Sequence, residues 1–183
     1  MNWSGIARRV RVPLGFVLAF FYLWIARPAL WSVLAGGAIA AIGLGIRALA
    51  SGMIRKNEAL TTSGLYARTR NPLYLGSIVI AGGFALAARS WIVAAALLAM
   101  FLLIYMPVIR GEERFLRGQF PEFADYEGRV PRLIPRLGKI LGQREAEGKF
   151  SCELYMKHRE YNALAGTIGM LAVLAAKLFW LGR

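Results

Sequence analysis

NPLYLGSIVIAGGFALAARSWIVAAALLAMFLLIYMPVI, residues Asn71–Ile109, carries one charged side chain, Arg89, near its middle. Each apolar half is long enough to reach across most of a hydrocarbon layer, and Arg89-Ser90 leaves room only for an antiparallel return. Asn71 suits a helix N-cap and Pro72 the first helical position. Pro107 is expected to kink the far end. The stretch therefore reads as a tight hairpin of two membrane spans, 72–88 and 91–109.

The pattern extends outward. Residues 12–26 form an uncharged aromatic run, Arg27-Pro28 reads as another tight reversal, and 29–50 and 161–181 are further apolar segments. Lys177 near the end of the last can snorkel to the interface. With 183 residues, 57% of them hydrophobic, and a mean hydropathy of +0.49, the chain is expected to be an all-α integral membrane protein. The expectation is one membrane domain over 1–183, with five transmembrane helices, a tight hairpin of the third and fourth, and a polar region on one side. The first run resembles a signal peptide but ends in Ala26-Arg27-Pro28 without a small-residue cleavage site, so a retained span is expected. A single cysteine, Cys152, permits no internal disulfide, and a single histidine, His158, argues against a histidine-rich metal site, so no metal is expected.

A net charge of +13 invites a nucleic-acid reading, but no recognition module accompanies it. The distribution is topological. With the N-terminus inside, all of the 23 Lys and Arg residues except Arg27, Arg89, Lys177 and Arg183 fall in the inner segments 1–13, 47–72 and 110–160. All ten acidic residues fall there too. The N-terminus is therefore expected in the cytoplasm, with anionic headgroups as partners of the basic face. Arginine outnumbers lysine, which points to a GC-rich prokaryotic genome and a bacterial inner membrane.

The chemistry gathers on that side. Leu60–Gly76, LTTSGLYARTRNPLYLG, is too polar for a plain connector. Thr62-Ser63-Gly64 reads as a turn. Tyr66 and Tyr74 can stack on a base or face a sulfonium, or sit in an interfacial aromatic belt. Gly64 and Gly76 can admit a ligand or another helix. At the inner end of the fourth span stand Arg110, Glu112 and Glu113, a site for ribose hydroxyls or a solvated helix end. A straight helix would carry Glu113 roughly 13 Å beyond Tyr74, an offset that an elongated ligand could bridge or the Pro107 kink could reduce. Residues 112–127 have apolar positions at helical spacing, interrupted by Pro121. Arg129 begins a rigid Arg-Val-Pro and can take a carboxylate or a lipid phosphate. A polar linker follows over 136–149. The segment from Tyr155 to Asn162 reads as a juxtamembrane helix with its charges in water, or as part of an acceptor site.

Taken in order, Leu60–Gly76 with Gly64-Leu65-Tyr66 and Arg70-Asn71-Pro72-Leu73-Tyr74-Leu75-Gly76, Glu112-Glu113 with Leu116, and Phe120, Tyr126 and Arg129-Val130-Pro131 resemble the isoprenylcysteine carboxyl methyltransferase and phospholipid methyltransferase superfamily. The match covers about 57–135. Asn71 stands where that pattern has histidine, and Phe123 where it has tyrosine. The resemblance implies an integral membrane methyltransferase, using S-adenosylmethionine to methylate a lipophilic small molecule or lipid. It implies a cofactor site of Gly64, Tyr66, Asn71, Tyr74, Glu112, Glu113 and Arg129, with Glu113, Arg110 and Arg129 nearest the chemistry. The acceptor would enter sideways past Ala81, Gly82 and Gly83. A sterol-reductase-like enzyme using a nicotinamide dinucleotide shares part of the pattern but is a larger protein, and a Rossmann glycine motif is missing. A non-catalytic membrane scaffold is the remaining alternative.

Overall fold

The computed structural model describes residues 3–55, 58–136 and 150–181. Lys56, Arg183 and the expected linker from 137 to 149 lie outside them. The described residues are helical, with no strand. The long helices are α1 (Trp3–Ile25), α2 (Leu30–Ser51), α3 (Pro72–Ala88) and α4 (Trp91–Gln119). Shorter are α5 (Phe123–Arg129) and α6 (Cys152–Lys157), and α7 (Tyr161–Leu181) closes the chain. Three of these, α2, α4 and α7, are long and apolar enough to cross a membrane; α3 is apolar but only 17 residues long. Helix α1 begins well before residue 12, because Arg8, Arg9 and Arg11 continue it and arginine is a good helix former.

The closest helix pair is α2 with α3, rather than the α3–α4 hairpin. Gly43 and Gly76 face each other so closely that a Cβ on Gly43 would sit 2.6 Å from the Gly76 carbonyl oxygen, and the reverse distance is 2.7 Å. Gly36 and Gly83 repeat this one stretch along, with Ala40 and Ala87 completely buried around them. Small residues let the two backbones touch, and packing replaces the hydrophobic drive that lipid cannot supply.

Backbone groups close one end of the bundle. Arg89 turns the chain in the left-handed region (φ 51°), and the amide of Arg27 donates to the Ala88 carbonyl at 2.9 Å. Lys177 does not snorkel outward. Its ammonium donates to the carbonyls of Leu23 (2.6 Å) and Ala26 (2.7 Å), taking acceptors that the end of α1 leaves unpaired.

Pro107 does not end or sharply break the fourth span, and α4 runs on to Gln119. A proline at 107 cannot bond the Leu103 carbonyl. The helix widens into a π turn over Phe101–Tyr105, with the Met106 amide reaching back to the Phe101 carbonyl. The freed Leu103 carbonyl accepts from the Trp3 indole at 3.1 Å. Pro121 does separate α4 from α5.

The 150–162 segment holds a short helix whose Glu153 and Lys157, like Arg159 after it, are exposed as expected, and it is also clasped to α2 at both ends. The Ser151 amide donates to the Gly52 carbonyl at 2.8 Å, and the Glu160 carboxylate pairs with Arg47 at 2.7 Å. Arg47 also reaches the Leu73 carbonyl of α3 at 3.3 Å.

Two stability outcomes follow, read as melting temperature in a mild detergent. Gly36→Ala should cost about 1–3 kcal/mol by overpacking two backbones. Gly45→Ala on the same helix, with open space around it, should be neutral or better. Trp3→Phe should cost about 1 kcal/mol by orphaning the Leu103 carbonyl. Adding Pro107→Ala, which restores the helix's own donor, should abolish that cost, and additive losses would refute the assignment.

Candidate active site

Opposite the closed end, the polar stretch before α3 and the end of α4 meet. The expected offset between Tyr74 and the paired glutamates is absent. The Tyr74 hydroxyl donates to Glu112 Oε1 at 3.0 Å, and Asn71 Nδ2 to Glu113 Oε1 at 3.0 Å. The π turn adds a residue to α4 without a full step of rise, and Asn71 lies ahead of α3, so both separations shorten.

Glu113 is the hub. It is 3% exposed, and its second oxygen accepts from Arg132 Nε at 2.8 Å. Arg70 Nε lies 3.5 Å from it, and Arg70 Nη1 lies 2.8 Å from Glu127 Oε1. Those N–H groups are not aimed along these vectors, so Arg70 keeps buried donors without hydrogen bonds among the described residues. Glu127 also pairs with Arg117. That bond, then the adjacent Arg70 guanidinium, holds its carboxyl below the usual range. Its contribution to stability is present above the ordinary carboxyl range and is lost as pH falls through the lowered value.

Asn71 occupies the N-cap position, but its side chain does not cap α3. The amide instead donates to Glu113 and to the Arg132 carbonyl (3.1 Å). The loop before α3 is tied to the one after α5: the Arg70 amide donates to the Pro131 carbonyl at 2.9 Å and the Arg136 amide to the Arg68 carbonyl at 3.1 Å. Tyr126 anchors the underside, its hydroxyl donating to the Tyr66 carbonyl at 2.7 Å. Phe123 is buried beside it with Val130, Leu116 and Leu60, so its ring serves as core.

These elements enclose a cavity of about 410 Å³, within the range of small-ligand and cofactor sites. Tyr66, Asn71, Tyr74, Glu112 and Glu113 all line it. The Tyr66 hydroxyl is buried there with no hydrogen-bond partner among the described residues, and burial raises its pKa, so it stays protonated. Arg110 and Arg129 do not line the cavity. Both are exposed, and Arg129 Nε donates to the Asp125 carbonyl of its own helix at 3.2 Å. Arg132, three residues on, reaches Glu113 instead. Gly64 serves the turn (φ 59°), packed on Met53, and Gly76 serves the contact with α2.

The sequence reading missed Arg8, Arg11, Arg55 and Arg70, which also line the cavity. The i,i+3 spacing of Arg8 and Arg11 was the available signal. A second cavity of about 300 Å³ runs between α3 and α4, lined by Ile78, Ala81, Gly82, Leu97 and Phe101. Tyr74 belongs to both. Gly83 faces α2 instead. Among the described residues, no three His, Cys, Asp or Glu side chains gather as a metal site.

Asn71→Asp should set a second carboxylate against Glu113 and lower the melting temperature, by more at pH 8 than at pH 5, where one of the pair can hold a proton. An equal loss at both would show that the amide's contact with Glu113 is unimportant.

Residues 10–122 match the phospholipid methyltransferase family. The cobalt-zinc-cadmium resistance protein CzcN of Cupriavidus metallidurans is 44% identical over 89 residues, 49% of this chain and 41% of that protein. The nickel-cobalt-cadmium resistance protein NccN of Alcaligenes xylosoxydans xylosoxydans is 42% identical over 83 residues, 45% of this chain and 39% of that protein. The aligned part thus spans about two-fifths of each relative. No solved structure matches. With more than half its length matched, and the two halves of the motif folded around one cavity, the chain belongs to the phospholipid methyltransferase family of membrane methyltransferases.

Proposed function

We propose that this protein transfers a methyl group from S-adenosylmethionine to a lipophilic acceptor at the cytoplasmic face of a bacterial inner membrane. In this reading α1 and α3 cross the bilayer with α2, α4 and α7, and the N-terminus is cytoplasmic. The support is the charge asymmetry, with the cavity lying at the charge-rich end.

The observation that carries the reading is the buried, unpartnered Tyr66 hydroxyl in a cavity of nucleoside scale. A buried hydroxyl without a partner costs free energy that a ligand can recover. The other side chains fit the same cofactor. Glu112, the carboxylate not held by arginine, receives ribose hydroxyls or the ammonium group. Arg70, with buried donors to spare, takes the carboxylate expected earlier on Arg110 or Arg129. The Tyr74 ring, which lines the cavity, would be available to stabilise a sulfonium there. Asn71 offers its carbonyl oxygen, because its amide hydrogens are committed.

When bound, S-adenosylmethionine supplies a methyl carbon already activated by positive sulfur: the acceptor's lone pair forms the new bond as the carbon–sulfur pair returns to sulfur. The protein's part is positioning and exclusion of water. Leu116, Phe120 and Phe123 wall off the polar groups, and Tyr74 stands between them and the apolar cavity. Glu113 positions rather than reacts, since both its oxygens are engaged. Glu113→Ala would take the carboxylate from the half-exposed Arg132 and leave Arg70 with Glu127 alone, so it should lower stability by about 1–3 kcal/mol as well as activity. The metal-resistance names of the two relatives suggest a setting in which methylating a membrane component alters the envelope's response to metal cations.

The test is ligand-induced stabilisation of the detergent-purified protein. S-adenosylhomocysteine should raise the melting temperature, and NADPH should not. Tyr66→Phe should raise the ligand-free melting temperature or at least not lower it, because the hydroxyl is buried without a partner among the described residues, and should weaken S-adenosylhomocysteine about tenfold. A response to NADPH instead would favour a reductase, and a response to neither a scaffold.

A further inference from the structure

Arg47, near the inner end of α2, lines neither of the two large cavities, yet both residues it grips on α3 do. Its stem crosses α3 at Gly76, where a Cβ would sit 2.6 Å from Arg47 Cγ. Nη1 then donates to the Leu73 carbonyl at 3.3 Å and to the Ser77 hydroxyl at 2.5 Å. Leu73 lines the polar cavity and Ser77 the apolar one. Tyr74, which belongs to both, stands between these residues at the start of α3.

Glu160 takes the rest of the fork. Nε donates to its Oε2 at 3.0 Å, and Nη2 to Oε1 at 2.7 Å and Oε2 at 2.8 Å. All five N–H groups of the guanidinium thus have acceptors, and a rigid planar fork meets so many only in one placement. The two side chains are 22% and 11% exposed. A pair so far out of water contributes little net stability, because desolvation offsets the attraction. Two apolar side chains would hold α2 beside the C-terminal segment as well, but would not grip the start of α3. The pair also acts on the cavity: burial chiefly raises the Tyr66 pKa, and among the charges Glu160 raises it further while Arg47 lowers it.

We propose, resting on the methyltransferase reading above, that Arg47 is a positioning residue. Held by Glu160, it fixes the start of α3 so that the Tyr74 ring lies where the sulfonium meets the apolar cavity. Glu160 lies beyond the residues matched to the family, 10–122, so the segment leading into α7 completes a site whose recognisable motif ends before it.

The test removes the ion pair and keeps the packing. The double variant Arg47→Met, Glu160→Leu replaces it with apolar side chains, a change often neutral or stabilising. The melting temperature of the full chain in a mild detergent should be unchanged or higher. S-adenosylmethionine should nevertheless bind about tenfold more weakly, and S-adenosylhomocysteine, which lacks the sulfonium charge, should lose less. Arg47→Lys keeps the charge without the fork and should show the same selective loss. In a Tyr74→Leu background the double substitution should cost nothing further. Fluorotyrosine placed at position 74 reads the ring without any ligand: its fluorine NMR line should shift in the double variant and in Arg47→Lys.

Wild-type affinity for S-adenosylmethionine in the double variant, equal losses of the two ligands, or a loss that persists in the Tyr74→Leu background would make the pair a structural tie alone and overturn the proposal. An unshifted fluorine line would do the same. Should the double variant fail to fold, Arg47→Lys decides by the same readouts. A wild-type protein that binds neither ligand would sink the cofactor reading, and the fluorine line would still decide whether Arg47 positions Tyr74.

Discussion

A carboxylate taken out of water must be compensated on every side, and Glu113 is. Asn71, Arg132 and Arg70 approach it from two different loops, and Glu127 and Arg117 extend the network outward. Such a hub contributes little net stability, because desolvation offsets most of the Coulomb attraction. What it contributes is position. The loop before α3 and the loop after α5 can each take many conformations alone. Only an arrangement that satisfies Glu113 leaves no uncompensated buried charge. The cavity is the space that this arrangement encloses.

The hub can form only because the helices beneath it are fixed. Backbone contact between Gly36 and Gly83 and between Gly43 and Gly76 locks α2 to α3, and Arg47 with Glu160 ties the C-terminal helix to the same pair. Helix α4 must bring Glu112 level with Tyr74, and its π turn does so. The turn is the local answer to Pro107. Trp3 of α1 completes it by taking the stranded Leu103 carbonyl, which also holds α1 beside α4 and sets Arg8 and Arg11 over the cavity mouth. One proline thus links the pitch of α4 with the seat of α1.

In the proposed reaction the protein's part is alignment and exclusion of water, a role compatible with Asn71 at the position where the family pattern has histidine. In this chain the position delivers N–H hydrogen bonds to Glu113 and a loop carbonyl, and an amide does so without titrating. It also separates the two glutamates. Glu112, hydrogen-bonded among the described residues by Tyr74 alone, keeps capacity for a ligand. Glu113, adjacent in sequence, has both oxygens engaged by Asn71 and Arg132.

By itself the sequence determined the class of protein, the reversals at Arg27-Pro28 and Arg89-Ser90, the break at Pro121, and which stretches hold the chemistry. Those are local or compositional properties: uncharged length, the fixed geometry of proline, and clustered polar residues. Tertiary structure alone decided which polar residues face inward. Arg129 and Arg132 are indistinguishable as chemistry; the first ends α5 facing outward, and the loop after that helix carries the second onto Glu113. Lys177 looked like a snorkelling residue because the carbonyls that hold it belong to the far end of α1. Gly76 admitted a ligand or a helix until Gly43 was found against it. Arg8 and Arg11 read as topology until α1 was seen to flank the cavity. In each case the deciding partner lies more than thirty residues away or on the other side of a turn, and no periodicity encodes that distance.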